Sequence, residues 1–413
     1  MTQEIQQLLR DNSRPAFATL LRLLKDFDLA EEALQESSLA ALEQWPERGI
    51  PANPRAWLIS CGRYKLIDSL RRRSHFEQCL LPQLTELERH SATFDPWDDP
   101  EIEDDRLRLI FVCCHPALSR EAQLALTLRE VCGLTTEQIA RAFLVKAPTI
   151  AQRIVRAKNK IRDANIPYEV PPLAQLGARL EAVLQIIYLV FNEGYGASSG
   201  DELLCTQLTT EAIRLARWLC ALLPQASGEA MGLLGLMLLQ DSRSHARVDA
   251  AGDIILLEAQ QRSLWNREQI TEGLDWTSKA LIADVAGYYG LQAAIAAVHA
   301  EAADYKETDW RQIAGLYSVL LARFPSPVVA LNHAVAVAMA DGPTSAMRLI
   351  EPLLASGELM DYHLAYAVRA DLLRRLQRFA EAAEDYRAAL RLCQQASERR
   401  FLQARLQECE KKC

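Results

Sequence analysis

The sequence predicts an all-α protein of several domains, on three observations. The 413-residue chain is 50% hydrophobic yet holds only 17 glycines and 17 prolines. Such apolar content supports packed cores and excludes global disorder, and scarce turn-formers favour helices over a many-turned β protein. Apolar residues recur at helical spacing along the chain, punctuated by short breaks. At roughly 100–200 residues per domain, the length implies two to four domains.

Several classes are excluded at once. No stretch reaches about 18 uncharged apolar residues, so no membrane span is expected. The start, Met1-Thr2-Gln3-Glu4, lacks the basic and apolar regions of a secretory signal. Ten cysteines are spread out with no C-x-x-C pair. They read as reduced cytoplasmic thiols, not as a disulfide scaffold or zinc finger. The net charge of -8 hides unlike segments: +1 in residues 1–75, -9 in 76–105, +7 in 106–164 and -7 in 165–413. One short segment therefore suits a polyanion, beside an acidic neighbour able to shield or mimic one.

Residues 1–75 read as a helical domain. From Ala16 to Trp45 the helical stripe includes Phe17, Leu20, Leu21, Leu24, Phe27, Ala30 and Leu34. Gly49 to Pro54 is a break, and Arg55 to Arg73 is a further helix opened after Pro54. Arg55, Arg63, Lys65, Arg71, Arg72 and Arg73 lie on or beside a helix that also carries Trp57 and Tyr64. Cations with interleaved aromatics suit single-stranded or melting DNA, where bases stack on rings while the backbone follows the charges. Core aromatics with a charged helix end are the plainer reading. Residues 76–104, with Asp95-Pro96-Trp97-Asp98-Asp99-Pro100, read as an extended acidic linker, either a nucleic-acid mimic or a solvated spacer.

Residues 105–165 carry the sharpest signal. Thr135 is placed as an N-cap and Gln138 completes a capping box for a short helix from Thr136 to about Phe143. Leu144-Val145-Lys146 is a tight connection, and Pro148 fits the first turn of a second helix with Ala147 at the N-cap. Short helix, turn, longer helix is the helix-turn-helix arrangement. On a wheel from Pro148, Thr149, Gln152, Arg153, Arg156, Asn159 and Lys160 fall between about 20° and 140°. Ile150, Ile154, Ala157 and Ile161 fall between about 180° and 240°. One face is core and the adjoining face is polar and basic, flanked by Lys158 and Arg162. Arg and Gln can reach base edges in a major groove while the cations neutralise phosphate. A solvated basic helix packed by its isoleucines is the bland alternative.

Ile166 to Pro172 reads as a hinge, and residues 173–413 as a helical domain with breaks at Phe191 to Gly200, Pro224, Asp341 to Pro343, and Ser356-Gly357. A shift of 36 residues aligns Ala334 with Ala370, Val337 with Leu373, Ala346 with Ala382, Ile350 with Tyr386 and Leu353 with Ala389. That spacing is near the tetratricopeptide period, and an ordinary helical bundle is the other reading. Cys113-Cys114 follow an apolar run and point about 100° apart on a helix, so they suit core packing and not one metal ion. Glu193 in Asn192-Glu193-Gly194-Tyr195 has no partner carboxylate at fixed spacing, and no phosphate loop or H-E-x-x-H occurs. Loop structure or effector binding suits it better than catalysis. No catalytic residue, cofactor or metal is expected.

Asp28-Leu29-Ala30-Glu31-Glu32-Ala33-Leu34-Gln35-Glu36, Trp45-Pro46, Asn53-Pro54-Arg55-Ala56-Trp57-Leu58 and Ile67-Asp68-Ser69-Leu70-Arg71-Arg72 resemble sigma region 2. Leu134 to Ala140 and Ala151 to Lys158 resemble sigma region 4. Together they resemble the extracytoplasmic-function sigma factors of bacterial RNA polymerase. Phe191 to Tyr195 and Leu256 to Trp265 look like hallmarks of the subgroup extended by a tetratricopeptide-like helical domain. The resemblance implies that Asp28, Glu31, Glu32 and Gln35 dock the clamp coiled coil of core polymerase. It implies that Asn53 to Arg73 recognise and open a -10 element: Asn53, Arg55, Trp57, Arg63, Lys65, Arg71, Arg72 and Arg73 are the candidates. Thr149, Gln152, Arg153 and Arg156 would face a -35 element, with Lys158 and Lys160 beside them. Gly62-Arg63-Tyr64 departs from the family's frequent Ala-Arg-Asn. The implied partners are core polymerase, promoter DNA, and a protein or peptide at the C-terminal domain. The alternative is a helix-turn-helix regulator whose repeat domain senses a ligand or protein; the two differ in what residues 16–73 must do. An enzyme with an appended DNA-binding unit is the third class.

Overall fold

The computed structural model describes residues 2–74, 102–143, 145–196, 204–223, 227–249, 251–283 and 287–412. The acidic linker thus lies almost wholly outside the described residues. Among them the chain is helical throughout, and the one β feature is an isolated bridge between Val248 and Ile254. No helix is long and apolar enough to cross a membrane. The chain divides into two compact units, Met1–Arg141 with Val145–Ile186, and Ala142–Leu144 with Ile187–Cys413.

In the first unit, the helical stripe from Ala16 to Trp45 is divided between α1 (Thr2–Leu24) and α2 (Phe27–Arg48). The break has a local cause. Lys25 takes a positive φ of 53°, and the Asp26 carboxylate accepts the N–H groups of Asp28 and Leu29 at 2.8 and 3.0 Å. Helix α2 ends at Gly49 (φ 86°), and α3 (Pro54–Ser74) starts at the proline. Phe17, Leu20, Leu21, Ala30, Trp45, Leu58 and Ile59 are buried in this three-helix packing. Gly62 lets α3 approach α2: a Cβ there would meet the Ala33 carbonyl oxygen at 2.6 Å.

Helices α4 (Ile102–Cys113), α5 (Arg120–Leu126), α6 (Thr136–Ala142) and α7 (Ala147–Asp163) follow, with a π turn at Thr127–Val131. The segment read as a hinge is packed at its start. Ile166 is buried, and the Tyr168 ring lies 5.9 Å from that of Phe27. Helix α8 (Leu173–Tyr195) carries the division between the two units. Arg179 on it donates to the Phe111 carbonyl at 2.7 Å, so its first half belongs to the first unit. The expected break from Phe191 is also corrected: residues 191–195 continue the helix. Gly194 is there for proximity, since a Cβ would meet Leu208 Cβ and Thr209 N at 2.7 Å.

The second unit contains α9 (Thr206–Leu222), α10 (Gly228–Asp241), α11 (Arg267–Ala283), α12 (Tyr288–Glu301), α13 (Trp310–Arg323), α14 (Pro327–Ala340), α15 (Pro343–Ala355), α16 (His363–Arg375), α17 (Phe379–Leu392) and α18 (Ala396–Glu410). Small residues let α10 touch two neighbours. Gly232 faces the backbone of Gly290 on α12, and Gly235 faces Thr277 on α11. The pairs aligned by the 36-residue shift occupy α14 to α17, and Ala334, Ala346, Ile350, Ala370, Ala382, Tyr386 and Ala389 share one core.

Candidate nucleic-acid and polymerase interface

The reciprocal capping box is present. The Gln138 N–H donates to Thr135 Oγ1 at 3.2 Å, and the Thr135 N–H to Gln138 Oε1 at 2.7 Å. This fixes where α6 starts. Helix α7 begins one residue earlier than expected: Lys146 is the N-cap, in extended conformation, and its side chain makes no capping bond. Pro148 in the first turn supplies the helical φ in its place. Ile150, Ile154, Ala157 and Ile161 are buried, as the wheel requires. Thr149, Gln152, Arg156 and Lys160 are exposed and Arg153 is half-buried. Arg153, Arg156 and Lys160 line a groove of about 500 Å³ with Ser119 and Glu121. Backbone and Ser119 hydrogen bonds hold the Glu121 carboxyl below the usual carboxylate range, with a smaller contribution from Arg153.

Lys158 points elsewhere. Its side chain is 12% exposed, and its ammonium lies 3.2 Å from Glu130, 3.3 Å from Glu31 and 3.8 Å from Asp28. It also sits 5.4 Å from the centre of the Phe27 ring. Arg129 lies 2.9 Å from the other Glu31 oxygen, and Arg14 lies 3.5 Å from the fully buried Glu130. Burial works against the Lys158 charge, but Glu130 and Glu31 outweigh it and raise its pKa. Burial pushes Glu130 up despite Lys158 and Arg14. In Glu31 the effect of burial is overcome by Lys158 and Arg129, which hold it below the usual range. Residues expected to meet DNA and residues expected to meet polymerase are thus joined in one ion-pair network.

The rest of α2 presents a continuous face. Asp28 and Gln35 are exposed and Glu32 is half-buried. Leu39 and Leu42, 57% and 43% exposed, continue the same stripe at helical spacing. Sequence reasoning missed these two leucines. The signal was there, since they extend the series 28, 32, 35 by steps of four and three.

On the candidate -10 segment, Asn53 is a cap: its Oδ1 accepts the Ala56 N–H at 3.1 Å. Trp57 packs edge-on against Trp45 at 5.4 Å. Arg63 is only 5% exposed, and burial lowers its pKa. Lys65 pairs with Glu36 at 3.3 Å, and Arg55 is half-buried. Tyr64, in contrast, is 67% exposed. The side chains of Arg71, Arg72 and Arg73 lie outside the described residues. Among the described side chains, Arg63 is thus withdrawn from the surface and Trp57 is packed on Trp45, while Arg55 and Lys65 stay partly exposed.

Cys113 and Cys114 are core residues. Burial pushes the Cys114 thiol up to about 12, beyond use as a nucleophile at neutral pH. One group with metal-ligand chemistry occurs among the described residues, His363, Cys393 and Glu398. Its members serve one another: His363 Nε2 lies 2.9 Å from Glu398 Oε2, and Cys393 Sγ lies 3.6 Å from the same oxygen. Tyr195 and Trp265, from the two C-terminal stretches singled out in sequence, each meet arginine. The Arg247 guanidinium lies 3.7 Å from the Tyr195 ring centre, and that of Arg262 lies 4.4 Å from the Trp265 ring.

Comparison with known proteins bears on the same segments. The family model of sigma-70 region 2 matches residues 8–76, and that of sigma-70 region 4 matches residues 108–161. A family of unknown function, DUF6596, matches residues 179–281. No solved structure matches the chain. An uncharacterized protein of Rhizobium meliloti (strain 1021) is 47% identical over 400 residues, spanning 96% of this chain and 93% of that protein. Sigma-70 regions 2 and 4 imply a promoter-recognition role with core RNA polymerase and promoter DNA as partners, in families of non-enzymatic initiation factors. The chain belongs to one family with the rhizobial protein, and it carries sigma-70 regions 2 and 4 ahead of a DUF6596 segment.

Proposed function

We propose that this protein is a sigma factor of the extracytoplasmic-function type, extended by a tetratricopeptide-like domain that regulates it. Helix α7 carries the reading. It is buried on one arc and turns Thr149, Gln152, Arg156 and Lys160 to solvent on the other, with Arg153 at the edge. Such a helix, behind a capped short helix, enters a major groove with its polar arc on base edges. Arg153 and Arg156 read the -35 element, and Lys160 contacts phosphate.

The acidic and apolar face of α2 docks on the polymerase clamp, with Asp28, Glu32 and Gln35 as polar contacts and Leu39 and Leu42 as apolar ones. Glu31 joins them once Lys158 and Arg129 let it go. Helix α3 faces the -10 element, with Tyr64 as the exposed ring on which a melted base stacks. Arg63 and Trp57 act from behind, by holding the helix.

The C-terminal hairpins resemble stacked repeats, whose side-by-side packing offers an extended surface for a peptide or protein partner. In vitro transcription with purified core polymerase tests the proposal. Initiation from a promoter with both elements, dependent on added protein, is the expected result. Tight binding to duplex DNA alone, with no association with core enzyme, would instead favour the ordinary helix-turn-helix regulator.

A further inference from the structure

Within the second unit, the end of α10, the approach to α11, and α12 and α13 enclose a cavity of about 160 Å³. Its polar lining consists of Gln240, Arg243, Trp265, Gln292, His299 and Tyr317, and holds no carboxylate. Two buried nitrogens on this lining have no hydrogen-bond partner, Trp265 Nε1 and His299 Nδ1, while the Gln292 amide is engaged by the hydroxyls of Tyr188 and Tyr288. The indole N–H is an obligate donor, and leaving a buried donor unpaired is costly. Two such atoms facing one space beside Arg243 are what the acceptors of a bound molecule would satisfy.

The charge on the walls has one sign. Arg243 donates through Nε to the Tyr195 hydroxyl at 2.9 Å, and no carboxylate among the described residues forms an ion pair with it. Arg262 stacks behind Trp265 and donates to the carbonyls of His299 and Ala302 at 2.6 and 2.8 Å. Both guanidiniums act on His299, whose pKa falls to about 4, mainly through burial and then through these charges. Burial also holds the Tyr317 hydroxyl protonated, its pKa pushed up to about 12. The cavity is thus donor-rich, positively biased and partly lined by Leu236, Leu239 and Ile295.

We propose that this cavity binds a small organic anion, its carboxylate or phosphate held by Arg243, Trp265 and His299 and its short carbon body against the aliphatic wall. The volume limits the ligand to a small metabolite and excludes a peptide. Both stretches singled out in the C-terminal sequence serve the site, since Tyr195 orients Arg243 and Trp265 is part of the wall. Binding stands independently of the sigma reading; an effect on transcription would rest on it.

Isothermal titration of the full chain with inorganic phosphate, acetate and succinate, beside choline as a cationic control, tests this. The expected result is saturable binding of one anion per chain, with the phosphate and carboxylate arms telling which group is taken. Arg243→Gln and Trp265→Phe should each weaken binding by about tenfold or more. Trp265→Phe keeps an aromatic side chain, smaller than indole, and removes the donor, so it covers the case in which Arg243→Gln does not fold. Arg217→Gln, at an exposed ion pair with Glu272 in the same unit, should bind normally. Absence of saturable anion binding at millimolar concentration, equal binding of choline, or undiminished binding in folded Trp265→Phe would overturn the proposal.

Discussion

Lys158 and Arg153 share a helix and a charge, yet their surroundings give them different work. Arg153 borders an open groove, so Arg153→Ala or Arg156→Ala should leave the fold intact and weaken promoter binding. A lost bidentate base contact costs about 1–3 kcal/mol, or roughly 5- to 150-fold, readable in transcription at matched core binding. Lys158→Met should behave in the opposite way. It leaves Glu130, with its fully buried side chain, short of its nearest cation, a loss of roughly 3–5 kcal/mol in urea denaturation. Adding Glu130→Gln should recover much of that stability. A wheel drawn from Pro148 places Lys158 at about 280°, closer to the isoleucine edge at about 240° than to the polar arc. It cannot foresee that three carboxylates from other elements, Glu130, Glu31 and Asp28, close over it. His299 adds a pH signature. Its pKa is depressed in the folded chain, so its contribution to stability is full above about 6.5 and is lost as pH falls toward about 4. The loss over that window is on the order of 3 kcal/mol. Denaturation of the full chain against His299→Gln across these pH values should show a steeper loss of stability in the parent, the carboxyl groups common to both chains giving the shared part of the slope.

The elements were legible where local chemistry decides them. The capping box, Pro148 and the isoleucine stripe dictate α6 and α7 without help from the rest of the chain. Boundaries set by contact were not legible. Gly194 reads as a loop residue until α9 is placed against it, and Lys25-Asp26 shows no proline or glycine to announce the turn. Gly62 is the sharpest case of a contact that sequence alone conceals. Its neighbour is a backbone oxygen, which cannot rotate away as a side chain can. Gly62→Ala should therefore push α3 from α2 at a cost of about 1–3 kcal/mol. A lower denaturation midpoint with an unchanged m-value would bear this out. The candidate -10 surface was the least legible. Composition counts cations and rings, but Arg63 and Trp57 spend theirs on packing while Tyr64 does not.

At the scale of the molecule, the charge asymmetry between segments was readable but its use was not. The acidic α2 meets the basic region around α7 within one unit, a pairing that net charges permit without specifying. The role of the C-terminal unit is open to a direct measurement. A chain ending after Gly196 keeps the Arg179 bond to Phe111, which a cut after Pro172 would remove. Its promoter activity should differ from that of the full chain at equal concentration and across several salt conditions; equal activity would make the C-terminal unit dispensable. Within the first unit, the Glu31–Lys158 pair has a consequence for cooperativity. If polymerase takes the carboxylate and DNA takes the ammonium, each partner relieves the other of the work of parting them. By linkage, whatever affinity one gains from the other's presence is returned in equal measure. The free chain would then ignore stray polymerase and stray promoter alike, and respond to their coincidence.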